Sequence, residues 1–370
     1  MTTAELFLYL LRCELNGVKP EPGGIPAETL TELYDLSRKH SLAALTAYAL
    51  EDAGVSDPRF TEAKYQAIYK NAQLLEAGNE VCAFLEENGI RHMPLKGMLL
   101  QELYPKPGMR QMTDCDILFD IGEEEKVRDW FLRSGYTKST GKHVVHTSYF
   151  KTPVRNIEMH NRLLRDGFGW LSDIDAIWSR ASLCRECRAR YAFSPLDEFV
   201  YLSAHACKHL SRRGTGIRSL VDLYLYRRAH LPGLDSEILG RRLDEVKIRS
   251  SAERMIKLAE AIFSPENETR ELPEEERELL EQLLDNGTYG TTERYIRNQL
   301  EKVRAEGKRA VKLRYCLKRL HADRDVLLAY PFFDRHPVFR PLLAFWRVSC
   351  ALSRRPAKLK RELHYLLHDK

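Results

Sequence analysis

The sequence has no apolar run that approaches the roughly 20 residues with which a helix crosses a bilayer. Its mean hydropathy is -0.43, and 30% of its 370 residues are charged. The first residues, MTTAELFLYLLRCELNG, carry Glu5 within their apolar part and show neither a basic start nor a small-residue cleavage site. We therefore expect no membrane span and no export, and we predict a cytoplasmic protein.

The sequence is also poor in paired cysteines and in repeats. Its eight cysteines are spread singly, except for Cys184 and Cys187, so we expect reduced thiols and no disulfide framework. Internal repeats, heptads and low-complexity tracts are missing, which excludes solenoid and coiled-coil proteins.

Positive charge is concentrated in the last part of the chain. Residues 302–370 contain 18 Lys and Arg against 6 Asp and Glu, a net charge of +12, whereas the whole chain has +5. Because this basic tail also contains aromatic residues such as Phe345 and Trp346, binding of nucleic acid through the tail is an alternative function. We do not favour it, since aromatic residues at irregular spacing are more often core residues.

Hydrophobic spacing divides the chain into three parts. Residues 1–89 have apolar residues three and four positions apart, as in amphipathic helices, and residues 169–370 return to this spacing. Between them, residues 90–168 hold two helical stretches and four β-type runs, at 90–95, 115–119, 143–150 and 154–159. We predict an α+β protein whose small, four-stranded mixed sheet is flanked by N- and C-terminal helical regions.

Two aspartates stand at the second β-type run. Asp114 and Asp116 are two residues apart, so their side chains point to the same face of a strand. Two carboxylates at this distance repel each other unless a cation lies between them. Magnesium prefers oxygen ligands and keeps positions open for phosphate oxygens, so the pair predicts a site for Mg²⁺, or for Mn²⁺ in its place.

A third carboxylate and a histidine follow on the fourth β-type run. Phosphoryl transfer with two metal ions uses one ion to activate the attacking oxygen and the other to stabilise the leaving pyrophosphate. Glu158 is the best candidate for the additional ligand. His160 lies two residues further and faces the same way if the strand continues, where it would serve as a base or contact the acceptor.

The segment before the aspartates predicts a triphosphate site. Gly97 lies where a strand meets a helix, and the free N–H groups of such a helix start bind phosphate. Lys96 and Arg110 would hold the same anion through their positive charge. Each feature is common by itself, and it is their order, each at the correct end of a predicted strand, that predicts a nucleotide site.

Histidines further along the chain fit two interpretations. Cys184-x-x-Cys187 and His205-x-x-x-His209 look like a set of zinc ligands, but the 17 residues between them exceed the usual spacing. His205, Lys208 and His209 lie on one face of a predicted helix, and in the interpretation that we prefer they line the nucleotide cleft.

The order of these residues resembles that of a known family. The run LKGMLLQELYPKPGMRQMTDCDILF, followed by IEMHNRL, HACKHL and IRSLVDLYLY, is similar to the pattern of the uncharacterised nucleotidyltransferase family, a branch of the polymerase-beta-like nucleotidyltransferases. This resemblance covers most of the chain. It implies that Asp114, Asp116 and Glu158 are the metal ligands, and that Lys96 and Gly97 replace the Gly-Ser helix start of sibling families.

The resemblance also implies a role for Asp222 in the cleft. Arg218, four residues earlier, offers the alternative of a salt bridge within one helix. Two positions depart from the usual pattern, because Cys115 stands where an aliphatic residue is common and Glu158 stands where aspartate also occurs. Neither change removes an oxygen ligand.

We therefore predict a metal-dependent enzyme that moves a nucleoside monophosphate from a nucleoside triphosphate, such as ATP, to an acceptor hydroxyl or phosphate. The acceptor is a small molecule or a polymer. The alternatives are a non-catalytic nucleotide-binding sensor or scaffold, and the nucleic-acid binder considered above. Intact carboxylates favour the enzyme, since a scaffold has no need of clustered, mutually repelling charges.

Overall fold

Helices form the N-terminal part of the chain, as its hydrophobic spacing predicts. The computed structural model describes residues 1–139, 145–265, 271–305, 311–321, 326–327, 330–354 and 360. The first helices are α1 (Thr3–Leu15), α2 (Ala27–Lys39), α3 (Ala43–Asp52) and α4 (Pro58–Glu87). The long helix α4 begins after Asp57, whose side chain accepts a hydrogen bond from the Arg59 N–H. It ends before Gly89, whose φ of +66° is a left-handed conformation that glycine adopts without strain.

A mixed sheet follows, with its strands in the order β1-β2-β5-β4-β3. The strands are β1 (His92–Leu95), β2 (Cys115–Phe119), β3 (Thr137–Lys138), β4 (His146–Lys151) and β5 (Arg155–His160). Neighbouring strands are antiparallel, except for β2 and β5, which are parallel. Along the chain, helix α5 (Gly97–Leu100) lies between β1 and β2, and helix α6 (Glu124–Arg133) lies between β2 and β3.

The sheet has one more strand than the four that we predict from the sequence. The additional strand β3 has two residues, both exposed, and is too short to produce an alternating hydrophobic pattern. The four predicted strands are all present, although residues 143 and 144 of the third lie outside the described residues.

Helices return after the sheet, which confirms the predicted α+β class. A second, two-stranded sheet of β6 (Ser182–Leu183) and β7 (Tyr191–Ala192) lies beside β1, where the His92 N–H donates to the Ala189 carbonyl at 3.0 Å. The helices are α7 (Ile174–Arg180), α8 (Pro195–Leu210), α9 (Ile217–His230), α10 (Ser236–Glu245), α11 (Arg249–Phe263), α12 (Glu274–Asn286), α13 (Thr292–Ala305), α14 (Val311–Leu320), α15 (Pro331–Arg335) and α16 (Arg340–Arg354). Within the described residues, none of these helices combines the length and apolar character that a membrane crossing requires.

The two faces of the sheet pack against different helices. Cys115, Ile117 and Phe119 of β2 point to one face, where they pack with buried residues of α4 and α6. Asp116 and Leu118 alternate with them and point to the other face. That second face is covered by α8 and is continuous with a larger core, so the polar side chains on it lie beneath a helix.

Helices before and after the sheet contribute to this larger core. Buried residues of α1 and α3 share it with those of α8, α9 and α11. In addition, the Asn16 side chain, just after α1, donates to the Phe263 carbonyl at the end of α11 at 2.8 Å. The division of the chain into units at 1–89, 90–168 and 169–370 stays a prediction.

Candidate active site

Two of the predicted metal ligands lie side by side on parallel strands. Asp116 of β2 pairs in register with Glu158 of β5, so both side chains point to the face that α8 covers. Asp114 precedes β2 by one residue and lines the same cleft. The three carboxylates therefore line the same cleft.

Asp116 is at the centre of a buried group of charges. Its Oδ1 atom is 2.9 Å from the Lys96 ammonium and accepts a hydrogen bond from His160 Nε2 at 2.7 Å. Burial disfavours the charged carboxylate, but Lys96 and His160 outweigh this effect and hold the Asp116 pKa below its ordinary value. The same contacts raise the pKa values of Lys96 and His160 against the effect of burial. Both cationic groups therefore favour an ionised Asp116.

Asp114 differs from Asp116 because fewer positive charges balance its carboxylate. Burial raises its pKa to about 6, and the Asp116 charge adds to the increase, which Lys96 only partly offsets. Glu158 behaves in the opposite way, because its contacts with His160 and His146 outweigh burial and lower its pKa. A cation beside Asp114 would thus remove unfavourable electrostatic energy from the folded protein.

Hydrogen bonds from helix α4 hold the loop before β2. The buried Asn71 side chain donates to the Arg110 carbonyl at 2.8 Å and accepts from the Met112 N–H at 3.0 Å. The Cys115 thiol also lies 3.1 Å from the Leu74 carbonyl of α4. These contacts fix the backbone on both sides of Asp114, so the position of its carboxylate depends on α4.

Arg110 is engaged by Asp222 of helix α9. Its Nε and Nη2 atoms donate to the two carboxylate oxygens of Asp222 at 2.8 and 3.0 Å, and the Tyr104 hydroxyl donates to the same carboxylate at 2.8 Å. Arg218, also on α9, donates to the Gln111 carbonyl at 2.8 Å and makes no such pair with Asp222. Asp222 therefore forms its salt bridge with Arg110, which is 112 positions away in the chain, and not with Arg218 of the same helix.

Basic side chains of α8 and α9 form the opposite wall of the cleft. His205, Lys208 and His209 of α8 line it, together with Arg218 of α9. Burial and the nearby Lys96 charge lower the Lys208 pKa to about 7, and burial and Lys208 lower the His209 pKa to about 3. An anion in the cleft would stabilise the charged form of Lys208, since opposite charges favour ionisation.

The start of helix α5 differs from the predicted phosphate site. This helix has only four residues and continues into a 3₁₀ turn at Gln101–Leu103, so its dipole is small. Lys96 precedes it with a φ of +44°, and a side chain at Gly97 would meet Arg110 at 3.1 Å and Met112 at 3.2 Å. Glycine at position 97 thus permits the close approach of the loop that carries Arg110.

All eleven residues that the sequence singles out for the cleft line one cavity with a volume of about 290 Å³. They are Lys96, Gly97, Arg110, Asp114, Asp116, Glu158, His160, His205, Lys208, His209 and Asp222. The roles assigned to them in catalysis, nucleotide binding and metal binding stay predictions.

One residue of the cleft was not predicted from the sequence. His146 of β4 pairs in register with His160 of β5, and its Nε2 atom is 3.4 Å from the Glu158 carboxylate. It belongs to no motif that we recognise. His146 lies two residues before Ser148, which pairs with Glu158. Only the register of the strands shows that His146 lies beside Glu158.

The zinc interpretation finds no support in the described part of the chain. Cys184 and Cys187 lie in the turn between β6 and β7, whereas His205 and His209 line the cleft. The one group of metal-ligating side chains found among the described residues consists of His146, Glu158 and His160. Much of the basic tail, including residues 355–359 and 361–370, lies outside the described residues.

Comparison with known proteins identifies one family. The model of the family described as "Uncharacterised nucleotidyltransferase" matches residues 26–264, which is nearly two thirds of the chain and includes every residue of the cleft up to Leu223. No curated protein and no solved structure matches the chain.

Proposed function

Because this chain belongs to the uncharacterised nucleotidyltransferase family, which supports a role in nucleotidyl transfer, we propose that it moves a nucleoside monophosphate from a nucleoside triphosphate to an acceptor hydroxyl or phosphate. The reaction takes place in the cleft between the sheet and α8. The observation that carries the proposal is that Asp114, Asp116 and Glu158 line one cleft opposite Lys208 and Arg218.

The carboxylates fit a divalent cation by their chemistry. They offer several oxygen atoms in one cleft, and a cation there would favour the ionised form of Asp114, whose pKa is raised by burial and by the charge of Asp116. We assign the cation to Asp114, Asp116 and Glu158. When bound, Mg²⁺ or Mn²⁺ neutralises charge on the triphosphate and polarises its α-phosphate.

The remaining chemistry falls to the side chains around the carboxylates. Lys208 and Arg218 bind the triphosphate, and Lys96 adds positive charge on the sheet side. The acceptor oxygen attacks the α-phosphorus, the bond between that phosphorus and the bridging oxygen breaks, and pyrophosphate leaves. The acceptor proton passes to a carboxylate oxygen of Asp114, Asp116 or Glu158. Arg110 and Asp222 act by holding the loop against α9.

Transfer of label from nucleotides tests the proposal. The protein is incubated with each α-³²P-labelled nucleoside triphosphate, a divalent cation and a cell extract that supplies acceptors. We expect label to appear in an acceptor, and we expect Asp114→Asn and Glu158→Gln to reduce the rate at least about 100-fold, as loss of a group that stabilises transition-state charge does. Asp129→Asn, on the exposed face of α6, is the matched control and should retain the rate.

Asp116→Asn is less informative than the other two variants. It leaves the Lys96 ammonium without its counter-ion in a buried position, so a loss of activity would combine catalytic and folding effects. Transfer that persists in both Asp114→Asn and Glu158→Gln would contradict the proposal. Tight binding of a triphosphate without transfer, in a panel of extracts, would favour the sensor or scaffold instead.

A further inference from the structure

Three metal-ligating side chains converge beside the carboxylate pair. The Glu158 Oε2 atom lies 3.4 Å from His146 Nε2 and 3.6 Å from His160 Nε2. One ligand atom from each of the three side chains can be chosen so that all lie within 4.8 Å of one another. The two imidazole rings have centroids 5.0 Å apart and planes at 48°, so they are not stacked face to face.

The distances suit a shared ion better than direct hydrogen bonds. A good N–H···O hydrogen bond measures about 2.7–3.2 Å, which is shorter than both contacts of Glu158. Ligand bonds of about 2.0–2.2 Å to a tetrahedral ion would separate neighbouring ligand atoms by roughly 3.3 Å. The 3.4 and 3.6 Å separations are close to this value.

The backbone holds the three side chains in this arrangement. His146 and Ser148 of β4 pair with His160 and Glu158 of β5, respectively. Paired residues of an antiparallel ladder share a face, and so do residues two apart on a strand. Both imidazoles and the carboxylate are therefore placed on one face by the register of adjacent strands, and no loop needs to move to bring them together.

The ligand atoms select a class of metal. Magnesium prefers oxygen and retains water, whereas imidazole nitrogen suits zinc, copper, iron and nickel. We propose that His146, Glu158 and His160 bind one transition-metal ion of the Zn²⁺ or Fe²⁺ class, for which Co²⁺ is a spectroscopic probe, next to Asp116. This deepens the proposed function, on which it rests in part, by assigning the acceptor-side ion to a site with two nitrogen ligands.

Asp116 keeps a partner when His160 turns to such an ion. His160 Nε2 donates to Asp116 Oδ1, and ligation through this nitrogen would end that hydrogen bond. The Lys96 ammonium, 2.9 Å from the same oxygen, would remain and continue to balance the charge of Asp116. The new site therefore does not require the buried carboxylate to lose all compensation.

Cobalt provides a test that does not depend on activity. Full-length protein freed of metal with a chelator is titrated with Co²⁺, and binding is followed by the visible absorption of the ion and by calorimetry. We expect one Co²⁺ per chain, bound at least about tenfold more tightly than Mg²⁺. His146→Gln should weaken Co²⁺ binding at least about tenfold and remove the absorption bands, while His230→Gln, at the exposed end of α9, should change neither.

A second variant distinguishes the loss of a metal ligand from misfolding of the protein. His146→Cys keeps a metal-ligating group on β4, so we expect it to bind Co²⁺ with a shifted spectrum that includes sulfur-to-cobalt absorption. Equal affinity for Mg²⁺ and Co²⁺, or Co²⁺ binding that is unchanged in His146→Gln, would overturn the proposal. In either case, Mg²⁺-supported label transfer that requires Asp114 would leave the proposed function standing.

Discussion

Replacement of Asp222 by asparagine tests whether this residue holds the cleft together. The Asp222 carboxylate receives two hydrogen bonds from Arg110 and one from Tyr104, and the Arg110 and Asp222 side chains are only 9% and 14% exposed. Asparagine keeps the size of the side chain but removes its charge, which leaves the Arg110 guanidinium buried without a counter-ion. Loss of one partner from such a buried pair costs about 3–5 kcal/mol in unfolding free energy.

Urea unfolding monitored by tryptophan fluorescence measures this cost. The matched control is Asp129→Asn, which breaks a pair with Arg128 whose side chains are 55% and 39% exposed. The control should lose less than about 1 kcal/mol, because solvent screens surface pairs. A cycle with Arg110→Met and Asp222→Leu, alone and together, should show coupling of more than about 1 kcal/mol.

Two outcomes would refute this reasoning about Asp222. One is a cost for Asp222→Asn that does not exceed that of Asp129→Asn. The other is strict additivity in the cycle, which would mean that Arg110 and Asp222 act independently. Loss of nucleotide affinity at unchanged stability would instead assign Asp222 to direct nucleotide contact.

Two further substitutions test how the cleft is built. Asn71→Ala removes the hydrogen-bond partner of the Arg110 carbonyl and of the Met112 N–H. We expect it to lower the unfolding free energy by about 2–4 kcal/mol in urea unfolding, and to weaken Mn²⁺ binding in calorimetry. If neither value changed, the role of α4 would be contradicted. Glu198→Gln tests a buried carboxyl of α8 whose pKa is raised by burial from 4.5 to about 8. Between these values the folded protein keeps a proton that the unfolded chain has lost, so the unfolding free energy of the wild type falls by about 1.4 kcal/mol per pH unit. The stability of the variant relative to the wild type should therefore rise by a few kcal/mol in urea unfolding from pH 5 to pH 8. A constant difference between the two proteins would contradict the raised pKa.

The sequence predicts the local features of this protein well. Strand β2 has the predicted bounds, and the alternation along it separates Asp116 from the apolar face of Cys115 and Ile117. Helix α4 ends at Glu87, directly before Asn88 and Gly89, a pair of residue types that commonly ends a helix. These features depend on residues a few positions apart, so spacing alone is enough to predict them.

Features that depend on distant parts of the chain were not predictable in the same way. The partner of Arg110 is a residue on α9, and spacing offers no reason to prefer it over a nearer acid. His146 enters the site through the register of β4 and β5, and no motif marks it. Lys96 contacts Asp116 because β1 and β2 are adjacent, although the Lys-Gly pattern by itself predicts a phosphate ligand.

The position of a bound cation tests the proposed activity most directly. Crystals of the protein grown with Mn²⁺ and a non-hydrolysable nucleoside triphosphate would show the ion by its anomalous scattering. We predict a peak at bonding distance, about 2.2 Å, from carboxylate oxygens of Asp114, Asp116 and Glu158, and in contact with the triphosphate. A triphosphate bound away from these residues, or manganese that contacts none of the three, would contradict it.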